Sequence, residues 1–520
     1  EERGMWANQA EFLLSCIGYC VGLGNVWRFP YLAYDNGGGS FIIPYLIMLT
    51  FCGIPLFMIE LALGQFSGYG VITAWRASPI FKGIGYGMMV VSFLVAIYYN
   101  VIIAWSLFYM FASFQSVLPW TSSCGKDWNV NSCVTCTGLN CTTDLTTPMP
   151  AYWRINKSEG IGDPGTVLWD LVLCLLLAWL IVFFCLIKGV KSSGKVVYFT
   201  ATFPYIILII LLVRGCTLDG ARRGIVFYVT PKWDKLRTAK VWKDAATQIF
   251  YSLGTSFGGL LTFASYNKFR NNIYRDTLIV AIGNCATSVF AGFVIFSVIG
   301  HMAYKLNLNV EDVVNQGPGL AFIIYPEAVS LLPAPQLWSI LFFFMLLTLG
   351  LDSQFAMVET VITGFMDEFP KLLRPYKTLF TAGICTVCFL MGILMVTEGG
   401  LYWFELYNWY SAYYGLLINS LILSFFNNLL VSLGFFFTYK WRLVKDIKMM
   451  IGFNPNWYFR INWMFITPGL LLFVIIYSGI NSVPISVGGY VYPKWADDLG
   501  LCMSVTCVAL IPIYMVYRII

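Results

Sequence analysis

A chain of 520 residues that is 58% hydrophobic, 18% aromatic and only 11% charged departs from soluble domains, which carry about 25% charged residues and 45–50% apolar ones. The composition reads as a polytopic membrane protein, with the lipid bilayer as its first partner. The net charge of +6 sits largely in short loops, which suits membrane topology and gives no nucleic-acid surface.

In chain order, the opening EERGMWANQAEF has no basic n-region and no cleavage site. It is not expected to be a signal peptide, and with no initial Met, further cytosolic residues are expected to precede it. Apolar runs of about 20 residues are the unit to count. Twelve are expected, near 12–34, 41–66, 85–116, 167–187, 195–213, 245–268, 278–304, 336–363, 378–396, 402–437, 461–480 and 497–518. The tenth is over-long, as a kinked span would be. Basic loops follow spans 2, 4, 6, 8 and 10, carrying Arg76 and Lys82; Lys188, Lys191 and Lys195; Lys268, Arg270 and Arg275; Lys371, Arg374 and Lys377; and Lys440 to Lys448. All five fall on the N-terminal side, which becomes the cytoplasmic side. One loop, 214–243, disobeys with Arg222, Arg223, Lys232, Lys235 and Arg237. On the opposite side, 117–165 holds Cys124, Cys133, Cys136 and Cys141 with sequons at Asn140 and Asn156. Clustered cysteines with glycosylation acceptors suit an oxidising, extracellular loop.

Two spans are interrupted at comparable depth. The first contains GYCVGLGN, Gly18 to Asn25, and the sixth SLGTSFGG, Ser252 to Gly259. Small residues serve helix packing in membranes, but Asn25, Arg28 and a second matching break argue for more. Paired interrupted segments, five spans apart, point to a transporter of inverted repeats; transporters of this architecture are the type case for that rule. Unwound backbone at such depth offers carbonyl oxygens to an alkali cation and free N–H groups to a carboxylate. A zwitterion bound beside a cation is the chemistry these features suggest.

Asp352, within LTLGLDSQF, is an ionisable residue at membrane depth and so a functional candidate. Asn284 and Ser288 share a helix face and by themselves read first as interhelical hydrogen bonding. Glu60 reads as structural, as does His301. Gly254–Gly258 fits a nucleophile elbow and Gly160–Gly165 a dinucleotide fingerprint, but neither follows a strand. With one histidine in the chain, no His-based catalytic set is available and no enzyme is expected.

Longer motifs then align the whole chain. GLGNVWRFPYLAYDNGGG from Gly22, GIPLFMIELALGQF from Gly53, AIYYNVIIAW from Ala96, KGVKSSGKVVYFTATFPY from Lys188, KDAATQIFYSLG from Lys243, FASYNKF from Phe263 and TLGLDSQFA from Thr348 resemble the neurotransmitter:sodium symporters. The resemblance implies an all-α membrane protein of twelve spans in a single transporter domain. Residues 12–213 form one inverted five-helix repeat, 245–437 the second, and 461–518 the last two spans. It implies uptake across the plasma membrane by alternating access, with both termini cytoplasmic and Na+ and Cl− as co-transported ions. A first sodium site would use Cys20, Asn25, Ser252 and Asn284. A second would use Gly18, Val21, Leu349, Asp352 and Ser353. Chloride would sit among Tyr45, Gln248, Ser252 and Ser288, where chloride-independent bacterial relatives carry a carboxylate at the Ser288 position.

The substrate pocket implied is Cys20, Gly22, Gly24, Val95, Tyr99, Tyr251, Gly254, Phe257, Ser353 and Met357. Monoamine transporters have Asp where this chain has Gly22, so a small neutral amino acid is favoured. SCIGYCVGLGN, LVAIYYN, FYSLG with FGGLLTFASYN, and SEGIGDPG look most like the proline transporter subgroup. Glycine, usually accompanied by Trp at the Phe257 position, comes next, then betaine or GABA. Arg3, Trp6, Tyr266 and Asp367 match an inner gate. Arg28 matches the outer-gate arginine, but its acidic partner aligns with Asn408, which leaves Glu405 as a substitute. Cys124 and Cys133 match the subgroup's disulfide. Segment 419–440 departs from the family pattern and lacks its glutamate. An amino-acid-gated channel or sensor is the alternative of another class.

Overall fold

The structure is a computed structural model that describes residues 5–120, 158, 160–187, 189–313, 326, 329, 334–411, 413–432, 442–481, 485–487 and 490–520. Arg3, Cys124, Cys133, Asn140 and Asn156 lie outside the described residues.

The described chain is mostly helical. Its helices are α1 (Gln9–Cys20), α2 (Gly24–Asp35), α3 (Gly39–Ser67), α4 (Lys82–Ala112), α5 (Trp169–Leu186), α6 (Ser193–Cys216), α7 (Ala221–Val229), α8 (Ala239–Leu253) and α9 (Gly259–Ala264). They continue as α10 (Ile273–Leu306), α11 (Pro335–Glu368), α12 (Pro370–Val396), α13 (Gly400–Tyr410), α14 (Tyr413–Ser432), α15 (Arg442–Ile451), α16 (Trp457–Ile480) and α17 (Lys494–Ile519). Among the described residues nine helices are long and apolar enough to cross a membrane, and ten spans result if α1 and α2, bent by 42° at their junction, count as one. The segments expected at 245–268 and 402–437 are not among the ten. Each is a pair of helices, α8 with α9 and α13 with α14.

Burial sorts the helices into layers. The apolar stretches of α4 and α11 are each 83% buried, whereas α17 is 22% buried. The first two pack along each other at the centre. The outer helices turn apolar faces outward: on α5, Leu173, Leu176, Leu180 and Phe184 are exposed while Leu171, Leu175, Ala178 and Val182 are buried. An apolar stripe on the outside is stable only against hydrocarbon.

With lipid outside, apolar contact drives helix association less than close packing at small residues does. Gly224 on α7 is such a point, because a Cβ there would lie 1.8 Å from the Phe296 carbonyl oxygen of α10. The basic loop 214–243 is partly neutralised by ion pairs of Lys232 with Glu311 at 2.5 Å and Lys240 with Asp35 at 2.6 Å. His301 Nδ1 lies 2.8 Å from the Asp219 carbonyl, so it fastens α10 to the same loop. Gly224→Val should lower the thermal unfolding midpoint, by the ~1–3 kcal/mol typical of overpacking or more. Gly283→Ala, whose Cβ meets nothing within 4 Å, should leave it unchanged. Equal midpoints for the two variants in a detergent melt would refute the assigned α7–α10 contact.

Candidate functional site

The helix formed by QAEFLLSCIGYC ends at Cys20, and the chain resumes as a π-helical turn at Gly24–Arg28. The amides released between them are taken up locally. Val21 N–H donates to the Ile17 carbonyl at 2.7 Å, Gly22 N–H to Asn25 Oδ1 at 3.1 Å and Leu23 N–H to the Tyr99 hydroxyl at 3.2 Å. Glycine at 22 is needed for space and not for a left-handed turn. Neither Gly22 nor Gly24 has positive φ, but a Cβ at Gly22 would lie 2.5 Å from Ser353 Oγ and 2.8 Å from the Tyr99 hydroxyl.

The second break, between α8 and α9, is made by left-handed residues. Gly254, Ser256 and Gly258 have φ of 62°, 66° and 87°. The two glycines adopt this freely; Ser256 does not. It is held by Glu60 of α3, whose Oε1 accepts the Ser256 N–H, and by a 2.7 Å contact between the Ser256 and Ser420 hydroxyls. Glu60 is fully buried and its Oε2 has no hydrogen-bond partner among the described residues. The residue read as structural therefore fixes the second break.

The two breaks meet. The Tyr19 hydroxyl donates to the Gly254 carbonyl at 2.9 Å, the Cys20 thiol to the Leu253 carbonyl at 3.3 Å, and Gln248 Nε2 to the Gly24 carbonyl at 3.1 Å. Behind them lies a buried polar cluster. Asn25 Nδ2 donates to Asn284 Oδ1 at 2.6 Å and Ser288 Oγ at 2.8 Å; Asn284 Nδ2 donates to Ser252 Oγ at 2.9 Å; Tyr45 donates to Ser288 Oγ at 3.2 Å. Every side chain expected around the first sodium and the chloride is thus in or beside one network. Gln248 Oε1 in it is buried without a partner among the described residues. The network is neutral, and no cluster of three or more His, Cys, Asp or Glu that could hold a metal ion occurs among the described residues. Neutral oxygens suit a monovalent hard cation, whereas structural zinc needs nitrogen or sulfur.

Asp352 on α11 stands apart from that network. Its Oδ2 is buried without a partner among the described residues and faces Gly18, where a Cβ would lie 2.4 Å away. Its Oδ1 accepts from Thr200 of α6 at 2.5 Å. Ser353 Oγ donates to the Tyr19 carbonyl at 3.0 Å, beside the break, and Val21 and Leu349 are buried. Thr200 and Tyr19 are the site residues that the sequence did not single out. Threonine and tyrosine are ordinary in membrane helices, so only packing reveals these two.

Between the breaks lies a cavity of about 30 Å³. The ten residues expected around a substrate all line it, together with Tyr19, Asn25 and Ser252. On one side the Tyr98 and Tyr251 hydroxyls are 3.1 Å apart and the Arg28 guanidinium lies 4.5 Å from the Tyr251 ring centroid. Asn408, the residue aligned with an acidic partner of Arg28, instead donates to Glu405 at 3.3 Å. Among the described residues no carboxylate pairs with Arg28 within 4 Å. On the other side Trp6 donates to the Phe263 carbonyl at 2.9 Å, Tyr266 donates to Glu359 at 3.1 Å, and Asp367 accepts the Gly70 N–H at 2.7 Å. All three of these side chains are buried.

The profile of the Sodium:neurotransmitter symporter family matches residues 3–520. This chain belongs to the sodium:neurotransmitter symporter family. Like other members of that family it is a membrane transporter and not an enzyme. The chain is 51% identical to the sodium- and chloride-dependent glycine transporter 1 of Xenopus laevis, across 100% of this chain and 84% of that protein. It is 48% identical to the sodium- and chloride-dependent glycine transporter 2 of Xenopus laevis, over 99% of this chain and 69% of the relative. The sodium- and chloride-dependent neutral and basic amino acid transporter B(0+) of Mus musculus is also 48% identical, over 100% and 86%. None of these relatives is named for proline, the substrate favoured by the short motifs.

Thr200→Val strips a partner from a buried carboxylate. The usual cost of such a loss is about 1–3 kcal/mol. It should appear as a lower thermal midpoint in detergent, and wild-type stability would refute the Thr200–Asp352 contact.

Proposed function

We propose that this symporter couples Na+ and Cl− to the import of a small neutral amino acid, with glycine ahead of proline. The observation that carries this is the cavity of about 30 Å³ where the two breaks meet, ten-fold below the roughly 300 Å³ at which ordinary small-molecule sites begin. Such a site favours the smallest amino acid. Gly22 contributes no side chain, so a substrate carboxylate has access to the break, where it would replace Asn25 and Tyr99 as the acceptor of the Gly22 and Leu23 N–H groups. The glycine transporters among the relatives support the same reading. Phe257, where glycine transporters usually have Trp, keeps proline as the second reading.

In this reading Cys20, Asn25, Ser252 and Asn284 hold the first sodium, and the substrate carboxylate completes its shell. Asp352, with Ser353 and the backbone of Gly18, Val21 and Leu349, holds the second; the unpartnered Oδ2 of Asp352 supports that role. Chloride among Tyr45, Gln248, Ser252 and Ser288 balances the sodium charge where no carboxylate is present. Sodium entry contributes about 2.3 kcal/mol per charge per 100 mV to lift the substrate against its gradient. Twelve spans in two inverted repeats, 12–213 and 245–437, placed in the plasma membrane with both termini cytoplasmic, complete the proposal. Arg28 and Tyr251 close the outer side. Trp6, Tyr266 and Asp367, with Arg3, close the inner side.

Labelled glycine should accumulate in proteoliposomes given inward sodium and chloride gradients, and cold proline should compete less well than cold glycine. Replacing sodium by choline should abolish uptake; undiminished uptake would reject symport. Saturable flux separates this mechanism from a channel, and flux itself separates it from a sensor. Gly22→Ala, which places a methyl against Tyr99 and Ser353, should reduce uptake more than ten-fold. Ser288→Glu should relieve the requirement for chloride, and full chloride dependence in that variant would remove Ser288 from the anion site.

A further inference from the structure

A cavity larger than the one between the breaks lies elsewhere among the described residues. A groove of about 690 Å³ opens at one end of α4, α11 and α12. Met89 and Phe93 of α4, Val361 and Phe365 of α11, and Phe380 and Ile384 of α12 form its walls. The volume falls within the roughly 300–1,000 Å³ of pockets that enclose small organic ligands. The lining is apolar throughout apart from the phenol of Tyr376. Its outer lip is exposed: Leu372 is 67%, Tyr376 64% and Leu379 72% accessible. Gly383 borders the open space directly, since a Cβ there meets no atom within 4 Å.

The residues that begin α12 place charge at this mouth. Leu372 and Leu373 line the groove, and Lys371 and Arg374 flank them in sequence. Lys371 is exposed and has no ion-pair partner among the described residues. Arg374 reaches Asp367 at 3.4 Å but keeps its side chain 34% accessible. Glu368, the other nearby carboxylate, is occupied by Lys82. A cationic rim above an apolar slot matches an amphiphile with an anionic head and a hydrocarbon tail. A sterol, with one neutral hydroxyl, would leave the rim unmatched.

We propose that this groove binds an anionic phospholipid, its acyl chain between α4, α11 and α12 and its phosphate at Lys371 and Arg374. The assignment uses none of the substrate or ion roles proposed above; it rests on the orientation that places the start of α12 at the cytoplasmic leaflet. The bound chain lies against the same two helices that present Val95, Tyr99, Asp352 and Met357 to the central site.

The experiment is a thermal unfolding titration of the full chain in neutral detergent with phosphatidylserine, phosphatidylcholine or cholesterol. Phosphatidylserine should raise the midpoint by several degrees more than phosphatidylcholine. Gly383→Phe, whose Cβ meets no atom within 4 Å and whose ring would occupy the groove, should abolish that difference. Lys371→Gln, an exposed change that leaves the fold intact, should reduce it by half or more and serves should the first variant fail to fold. Equal shifts from the two phospholipids, a shift from cholesterol alone, or an undiminished phosphatidylserine effect in Lys371→Gln would overturn the proposal. A loss of oligomer mass in Gly383→Phe would assign the groove to a second copy of the chain and overturn it equally.

Discussion

Everything near the centre of this protein depends on one constraint: backbone groups freed from a helix at bilayer depth need partners, because hydrocarbon supplies none. Two helices are broken here, and each answers the needs of the other. Tyr19 and Cys20 donate to the carbonyls of Gly254 and Leu253, and Gln248 donates to the Gly24 carbonyl. The same juxtaposition gathers Asn25, Ser252, Asn284 and Ser288 into one polar pocket. Packing then follows from function: the most buried helices, α4 and α11, are those that flank the breaks, and the apolar outer helices shield them from lipid.

The two breaks are not alike. The first is a gap in an α-helix that resumes as a π-turn, with ordinary backbone angles and amides rescued by side chains. The second is a left-handed turn that two glycines adopt without strain and one serine does not. Glu60 holds that serine from a third helix. The second break is thus buttressed from outside its own segment, while the first is stabilised mainly by Asn25 and Tyr99. The proposed sodium and chloride sites draw on the polar side chains beside the first break, Asn25, Ser252, Asn284 and Ser288.

The central site was legible in the sequence wherever polarity interrupted an apolar run. Gly18 to Asn25, Ser252 to Gly259 and Asp352 stand out on that ground alone, and the structure brings them together. Nine of the long apolar runs were legible as helices among the described residues, whereas the first, sixth and tenth segments each divide into two helices. What stayed hidden was partnership. Thr200 looks like any membrane threonine until α6 packs against α11, and Asn408 aligns with an acidic residue yet turns to Glu405. Gly22 lacks a left-handed φ, and its missing side chain makes room for Tyr99 and Ser353, which the sequence alone does not show. The α12 groove has no sequence signature at all, because leucine, phenylalanine and valine from three helices read as ordinary span residues.

The size of the central cavity carries a consequence for selectivity. A chamber far smaller than the usual ligand pocket must open to admit even the smallest amino acid, so its size favours a small guest without being a finished mould for one. Walls such as Tyr251, whose hydroxyl meets Tyr98 and whose ring carries Arg28, must part and close again around whatever enters. Discrimination then lies in the closing step: a bulkier guest reaches the same groups but prevents them from meeting again, and leaves before it is carried. Selection by such a device is kinetic, and a poor substrate would act as an inhibitor that binds without being moved.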